Sequence, residues 1–264
     1  MNRPPSRPRV IVSVTASVDG RVALNRSSVL LHEPAGAVWQ ALHRPGARRL
    51  IQERQAQIER DHHPQAVLEG SGTFVTEHDV PPELPDTDLD RATLLEPSLP
   101  ERDNCRWFVV VDGRGRVRWT HKGDAHTRLL VLVSRGSPIR YLAYLRREGI
   151  PYLVAGDQHV DLALALRLLG SLLGVTCVVS EAGGGLNGAL LREGLVDELH
   201  VVLIPTLVAG RDTPAMFDGA PLSAGEMPPS LRLVHVRSTA DGAVWLHYAV
   251  AEGSPAAKRT SPDA

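Results

Sequence analysis

One segment, residues 175–205, constrains the fold of this chain more than any other. It reads VTCVVSEAGGGLNGALLREGLVDELHVVLIP: an apolar run ends at Glu181, three glycines follow, and a helical pattern begins near Leu186, covering about 187–194, before a second apolar run. Apolar strands separated by a helix are typical of a parallel sheet that is covered on both faces. The segment therefore predicts an α/β fold.

The same alternation continues through the rest of the chain. Runs such as RVIVSVTA (9–16) and LLVLVS (129–134) alternate with helical patterns, including helices over about 35–60 and 161–173. LRLVHVRS and AVWLHYAV instead follow each other directly, with Asp241 and Gly242 as the turn of an antiparallel hairpin. We predict a mainly parallel central sheet with an antiparallel C-terminal edge and helices on both faces.

Length and composition fit a single globular domain. The chain has 264 residues, of which 43% are hydrophobic and 22% charged. We predict one domain over residues 9–250, with flexible tails at 1–8 and 251–264, where no hydrophobic period is visible. Residues 76–104 are rich in proline and acids, which predicts a long surface loop beside the site.

Charge and motif content exclude several classes of protein. A net charge of −1 removes the case for a broad basic surface, so we expect no nucleic-acid partner. No apolar run approaches the roughly 20 residues of a membrane span, and no signal segment is visible, so we expect a cytoplasmic protein without a membrane partner. The eleven histidines show no metal-ligand spacing, and we expect no metal.

Several strands end in residues suited to a ligand. Gly183, Gly184 and Gly185 allow positive φ and close approach to a ligand, and the helix start behind them favours a phosphate; a tight turn is the simpler alternative. Ser134 and Arg135, at another strand end, suit the 2′-phosphate of a nucleotide ribose, because arginine offers a planar fork of donors.

Four blocks carry a resemblance to a known family: TASVDGRVA (15–23), AVLEGSGT (66–73), VVVDGRGRV (109–117) and SEAGGGLNGALLREGLVDELHVVLIPTLVAG (180–210). In this order they resemble the reductases of riboflavin biosynthesis, including the reductase domain of bifunctional deaminase/reductases, whose fold is like that of dihydrofolate reductase. The resemblance implies NADPH-dependent reduction of the ribosylamino group of a small-molecule pyrimidine phosphate, as in 5-amino-6-(5-phosphoribosylamino)uracil reductases. It also implies a homodimer, which the apolar run LHVVLIPTLV near an exposed edge would support.

The resemblance also implies roles for particular residues. Glu181 and one of Ser27 and Ser28 would contact the substrate, Asp19 would border the pocket, and Glu181 or Asp19 would deliver the proton that accompanies hydride transfer. The implied cofactor contacts are Thr15, Ala16, Thr73, Glu77, Gly113, Gly183, Gly184, Gly185, Leu186, Asn187, Gly188 and Ala189.

One departure leaves the substrate open. The first helix is longer than is usual in the family, and the family's phosphate-binding arginine falls opposite Asp61, where Arg54 or Arg60 would have to replace it. The alternatives are an NADPH-dependent reductase of another heterocycle, such as a pterin, and a nucleotide-binding protein without turnover.

Overall fold

The computed structural model of the protein describes residues 7–80, 83–100 and 105–251. Within these ranges the strands are β1 Arg9–Ser17, β2 Ala66–Gly70, β3 Arg106–Val111, β4 Thr127–Val133, β5 Tyr152–Val154, β6 Cys177–Ser180, β7 Glu198–Ile204, β8 Leu231–Ser238 and β9 Val244–Val250. The α-helices are α1 Ala35–Ala41, α2 Pro45–His62, α3 Arg91–Leu95, α4 Ile139–Arg147, α5 Leu162–Leu173 and α6 Gly184–Arg192. A short 3₁₀ turn, Ser71–Thr73, follows β2.

The strands form one sheet in the order β5-β4-β3-β2-β6-β1-β7-β9-β8. The strands from β5 to β7 pair in parallel, whereas β9 is antiparallel to both β7 and β8. This confirms the predicted fold class. The predicted hairpin turn is also present, and Gly242 adopts a φ of +91° there, a conformation that favours glycine.

Helices cover both faces of the sheet. Val10 and Val12 of β1 point to one face, where they share a core with residues of α5 and α6. Val131 and Val133 of β4 pack with α4 on the other face, and Leu50 joins α2 to β7 and β9 there. Each such side chain contributes about 1.5–3 kcal/mol on burial, so continuous apolar strands are favoured only because both faces are covered.

Two predicted helix boundaries are wrong. The helix predicted over 35–60 is divided into α1 and α2, because Pro45 lacks the backbone N–H that a continuous helix would need and instead occupies the first position of α2. Helix α6 starts at Gly184 and ends at Arg192, earlier than predicted.

The predicted loop over 76–104 contains α3, whose first turn is capped by Asp90 and whose Leu94 is fully buried. Residues 81–82 and 101–104 of this segment lie outside the described residues. The prediction of a loop without regular structure is therefore wrong for its central part, where the prolines are absent.

The predicted tails fall mainly on residues 1–6 and 252–264, which are outside the described residues. Arg7 belongs to the fold, since its guanidinium donates to both carboxylate oxygens of Asp197, at 2.7 and 3.0 Å. The prediction of a tail is therefore wrong at Arg7.

The position of the exposed sheet edge differs from the prediction. The run LHVVLIPTLV contributes to β7, which lies between β1 and β9 and is not an edge strand. The strand at this edge is β8, all of whose residues are exposed.

Candidate active site

The carboxyl ends of three parallel strands bring two glutamates together. Strand β6 lies between β2 and β1, and Ser180 at its end pairs with Leu68 and with Val12. The residue that follows Ser180 is Glu181, the residue that follows Leu68 is Glu69, and neighbouring strands lie about 4.8 Å apart. Because side chains alternate along a strand, both carboxyl groups project to the same face.

The neighbouring strand β1 extends beyond the end of β6. Val12 faces the last residue of β6, whereas β1 continues to Ser17, so the backbone of Thr15 and Ala16 borders the space that β6 leaves. Ala16 is fully buried, and Thr15 is half-buried. This is a crevice at the carboxyl edge of a parallel sheet, where ligands of open α/β sheets bind.

A buried arginine of α2 belongs to the same cluster. Arg54 is 4% exposed; its guanidinium donates to the carbonyl oxygen of Val14 and lies 3.4 Å from the hydroxyl oxygen of Thr15. Burial lowers the pKa of Arg54 to about 10, and the nearby Glu181 carboxylate opposes that shift. The guanidinium is therefore still protonated at neutral pH.

The two arginines predicted as alternatives lie at different edges of the sheet. Arg60 is exposed in the last turn of α2, next to the exposed Asp61 and two residues before His62. The Nε2 atom of His62 lies 3.5 Å from Oε2 of Glu198, at the amino end of β7. Because the amino ends of parallel strands share one edge, Arg60 is remote from the candidate site, and Arg54 is the one that lies near it.

Glu69 is a site residue that the sequence predictions missed. It is 9% exposed, and the hydroxyl group of Thr73 donates to its Oε2 at 2.7 Å. Burial raises the pKa of Glu69 to about 7, and Glu181 adds to that shift, against the hydrogen bond from Thr73. The available signal was a charged residue inside the apolar run QAVLEG, which is unusual for a strand covered on both faces.

We expect Glu69→Gln to stabilise the protein at pH 8 but not at pH 4. The folded-state pKa, about 7, lies above the ordinary value of 4.5, so folding becomes less favourable as the pH rises from 4.5 to 7. At pH 8 glutamine removes a penalty of up to about 3 kcal/mol and still accepts the Thr73 hydrogen bond. Urea unfolding at both pH values measures this, with Glu59→Gln, at an exposed position of α2, as control. Equal changes at both pH values would contradict the prediction.

The turn after β6 leaves open space in front of α6. Gly183 is the N-cap residue of this nine-residue helix, and a Cβ built on Gly183 or Gly185 would meet no heavy atom within 4 Å. The first amide groups of a helix lack intrahelical partners and carry the positive end of the helix dipole. They are suited to bind a phosphate group.

The conformation of these glycines differs from the prediction. Gly183 has a φ of −70°, and Gly184 and Gly185 are the first residues of α6 itself. None of the three adopts a positive φ in the structure. The missing side chains of Gly183 and Gly185 leave open space, and no unusual backbone conformation requires glycine at these positions.

Two other glycines of α6 are required for packing. A Cβ on Gly184 would lie 2.1 Å from the carbonyl oxygen of Ala215, and one on Gly188 would lie 1.7 Å from that of Asp218. The segment over residues 215–218 therefore packs directly on α6. The predicted cofactor contact of Gly188 is not favoured by this position.

Of the other predicted cofactor contacts on α6, two pack inside the fold and one lies beside the open turn. The amide group of Asn187 is buried, accepts a hydrogen bond from Ser180 at 2.8 Å and donates one to Ala182 at 2.7 Å, so it ties α6 to β6. Ala189 packs against the core. Leu186 lies against Gly70 at the end of β2, beside the open turn.

Asp19 is engaged by its own loop. Its carboxylate accepts hydrogen bonds from the Ser17 hydroxyl at 2.7 Å and from the backbone amides of Val208 and Ala209 at 3.1 and 2.7 Å. The Ser17 hydrogen bond is the largest of the effects that lower the pKa of Asp19 to about 2. A carboxyl group held ionised in this way is a poor proton donor, so the structure does not favour a catalytic role for Asp19.

The ends of β3 and β4 adjoin each other. A Cβ on Gly113 would lie 3.9 Å from the hydroxyl oxygen of Ser134, which is fully buried and donates to the carbonyl of Gln158 at 3.2 Å. The side chain of Arg135 is 62% exposed, and its Nε lies 3.9 Å from a carboxylate oxygen of Asp157. Of the predicted pair, Arg135 is therefore the one that can reach a phosphate.

The loop that carries Ser27 and Ser28 lies beside α6. Arg26 lies 3.1 Å from the Asp218 carboxylate, next to Gly188, and 3.8 Å from that of Glu77. Ser27 is exposed and bonds to Asn25, and Ser28 is half-buried. The structure thus brings the predicted substrate serines and Glu77 to the same end of α6 as the glycine turn.

Two cavities lie elsewhere. One of about 890 Å³ lies behind α6 beside Arg192 and Asp197, and one of about 740 Å³ lies between Phe74, Phe108 and Trp119. Neither is lined by Glu181 or by residues 183–185. The assignment of the site depends on the chemistry of the strand ends and not on cavity size.

These features define a class: a dihydrofolate-reductase-like α/β protein with an open glycine turn beside two carboxyl groups. A family model described as the RibD C-terminal domain matches residues 8–245, and the chain belongs to this family. The predicted family is confirmed.

Named relatives agree with this assignment. The chain is 35% identical to a 2,5-diamino-6-ribosylamino-4(3H)-pyrimidinone 5′-phosphate reductase of Methanothermobacter thermautotrophicus over 137 residues, 49% of this chain and 59% of that protein. It is 28% identical to the reductase of the same name from Archaeoglobus fulgidus, over 81% of this chain and 87% of that protein. The match thus spans less than two thirds of the first relative and most of the second.

Solved structures share the fold. A pyrimidine reductase-like protein from Corynebacterium diphtheriae has a TM-score of 0.60 at 16% identity, covering 92% of each chain. The riboflavin biosynthesis reductase Rib7 of yeast has a TM-score of 0.55 at 16% identity, covering 95% of this chain and 93% of that one.

Proposed function

We propose that this protein is an NADPH-dependent reductase. The observation that carries the proposal is the open turn at Gly183 and Gly185, at the start of α6 and two residues after the exposed Glu181. A diphosphate fits there because the helix start supplies free amide donors and the missing side chains leave room for it. Arg135, on the far side of the β3 and β4 ends, is the proposed partner of the ribose 2′-phosphate, by which NADPH differs from NADH.

The cofactor, when bound, supplies the hydride. The proposed role of this chain is to hold the reacting groups at the crevice and to supply the accompanying proton. Thr15 and Ala16 border the crevice between β1 and the end of β6, where the nicotinamide is proposed to lie. Glu181 faces this crevice and is the proposed substrate contact and proton donor. Glu69, whose pKa is raised to about 7, is the proposed source of the proton that returns to Glu181.

The leading substrate is a ribosylamino-pyrimidine phosphate, because the relatives above are named for it. The buried Arg54, engaged with the Val14 carbonyl, favours a second candidate, a heterocycle without a phosphate. A buried arginine that already donates to a backbone carbonyl has fewer free N–H groups for a substrate phosphate than an exposed arginine has.

The test is NADPH oxidation by the purified protein with each of three compounds: the pyrimidinone phosphate, its dephosphorylated form and dihydrofolate. We expect turnover with the first. Turnover with the dephosphorylated form or with dihydrofolate alone would favour the second candidate. NADPH binding without turnover of any compound would indicate a nucleotide-binding protein.

We further propose that the protein forms a homodimer through β8. This edge strand exposes Leu231, Leu233, Val234 and Val236, each between 44% and 52% exposed. Its free backbone groups can pair with the same strand of a second copy, as a two-fold axis requires.

We also propose the cytoplasm as the compartment. No helix among the described residues is long and apolar enough to cross a membrane.

We expect Val236→Glu to convert the dimer to a monomer, because a charge at the edge opposes strand pairing. Sedimentation velocity measures the change. Val80→Glu is the control, since Val80 is 89% exposed and lies away from β8. A wild-type protein that is monomeric at tens of micromolar would contradict the dimer.

A further inference from the structure

Helix α3 brings a second arginine to the end of β4. Arg91 is the first residue of α3, and its guanidinium group donates to the backbone carbonyl oxygen of Arg135, in the turn that follows β4. The side chain of Arg135 starts from the same backbone and is 62% exposed. Two guanidinium groups therefore adjoin one turn, although the two residues are 44 positions apart in the chain.

Helix α3 is fixed to the edge of the sheet behind Arg91. Leu94 is fully buried in a cluster that includes residues of α4, and the Tyr152 hydroxyl group of β5 donates to the Leu94 carbonyl oxygen at 2.7 Å. Two backbone hydrogen bonds, of 3.1 and 2.9 Å, join Ser98 to Tyr152. Because a buried side chain and the sheet edge anchor the helix, Arg91 is held beside the turn after β4.

Little negative charge opposes the two arginines. Arg91 forms no ion pair within the described ranges, and the Nε atom of Arg135 lies 3.9 Å from the carboxylate of Asp157, whose side chain is 87% exposed. Exposed pairs of this kind contribute little. The carboxylate of Asp90 caps α3 instead, since it accepts hydrogen bonds from the amide and the hydroxyl group of Thr93 at 2.9 and 2.6 Å. The turn thus has a surplus of positive charge that a phosphate would balance.

We infer that Arg91 and Arg135 together bind the ribose 2′-phosphate of NADPH, and that Arg91 is a residue that determines cofactor specificity. The inference rests on the proposed function, which assigns this phosphate to Arg135. Each guanidinium group offers a planar fork of N–H donors that matches phosphate oxygens. NADH has a hydroxyl group in place of the phosphate, so it would leave the two like charges without a counter-ion.

This assignment gives a role to the segment over residues 83–100. In the sequence Arg91 follows Asp86, Asp88 and Asp90, which is typical of a solvated charged loop. Only the packing of α3 against β5 and α4 brings Arg91 to the strand end that carries Arg135. Local sequence patterns therefore could not identify it as a binding residue.

The test is calorimetric titration with NADPH, NADH and 2′,5′-ADP, which carries the 2′-phosphate but no nicotinamide. We expect the wild type to bind NADPH roughly 100-fold more tightly than NADH, and Arg91→Gln to weaken NADPH and 2′,5′-ADP binding by roughly tenfold or more. The NADH dissociation constant should stay within about twofold, because the lost donors face the 2′ position. Arg91→Lys keeps the charge but not the planar fork, so it should recover part of the loss.

The matched control is Arg49→Gln. Arg49 lies on α2, its side chain is 62% exposed, and it is weakly paired with Glu53 at 3.9 Å, much as Arg135 is with Asp157. Helix α2 packs on β7 and β9, on the other side of the sheet centre from β4. We expect this variant to bind all three compounds as the wild type does.

Two outcomes would overturn the inference and leave the proposed reductase intact: equal affinity of the wild type for NADPH and NADH, or an unchanged ratio of the two dissociation constants in Arg91→Gln. Binding of 2′,5′-ADP that depends on Arg91, without oxidation of NADPH by any compound, would support the phosphate site and contradict the reductase. Protein that binds neither NADPH nor 2′,5′-ADP would overturn both.

Discussion

Glu181→Gln is expected to lower the turnover of NADPH oxidation at least 100-fold and to change the NADPH dissociation constant less than threefold. A positioned general acid contributes roughly 10²- to 10⁴-fold to rate, and glutamine keeps the shape of the side chain but has no acidic proton. The side chain lies beside the glycine turn and not within it, so NADPH binding should be preserved. Steady-state kinetics and calorimetric titration of NADPH measure the two quantities separately.

The control for this substitution is Glu59→Gln. Glu59 is an exposed carboxylate on α2 that lies 3.1 Å from Arg106, remote from residues 181–185. It should keep turnover within twofold of wild type. If Glu181→Gln retained full turnover, Glu181 would have no part in proton transfer, and Glu69 would become the candidate donor.

Gly185→Val is expected to weaken NADPH binding at least 30-fold in a protein that remains folded. The added side chain would occupy space that contains no protein atom within 4 Å of the Cβ position, which is the space assigned to the diphosphate.

Gly188→Ala is expected to lower the stability of the fold, because the added Cβ would lie 1.7 Å from the Asp218 carbonyl oxygen. Overpacking of this kind costs about 1–3 kcal/mol or more, so the protein should unfold at lower temperature.

Circular dichroism melts and NADPH titration distinguish the two glycine variants. A Gly185→Val protein that is folded and binds NADPH as tightly as wild type would mean that the diphosphate does not lie at this turn. A Gly188→Ala protein with unchanged stability would mean that residues 215–218 do not pack on α6 as the structure has them.

Sequence patterns identified the architecture because the main determinants are local. Apolar strands followed by helices predict a parallel sheet, and Asp241 with Gly242 predicts the hairpin, since each depends on a few adjacent residues. Pro45 also indicates the break between α1 and α2 in the sequence. The helical pattern on either side of Pro45 nevertheless favoured one continuous helix.

The candidate site was less predictable, because its chemistry depends on contacts between distant segments. Asp19 and Glu69 are both carboxylates near strand ends, yet the Ser17 hydroxyl, together with the 208–209 backbone amides, lowers the pKa of Asp19, whereas burial on β2 raises the pKa of Glu69. Gly183 and Gly188 cannot be distinguished from the sequence alone. The structure shows that Gly188 packs against the Asp218 backbone, whereas Gly183 faces open space. Such differences arise from tertiary structure and carry no local pattern.

In the proposed function, the amide groups at the start of α6 bind the phosphates of NADPH. Calorimetric titration of the wild-type protein with NADPH, beside Gly185→Val, tests it most directly. We predict saturable binding of one NADPH per chain in the wild type and its loss in Gly185→Val. Folded wild-type protein that shows no saturable binding of NADPH would contradict it.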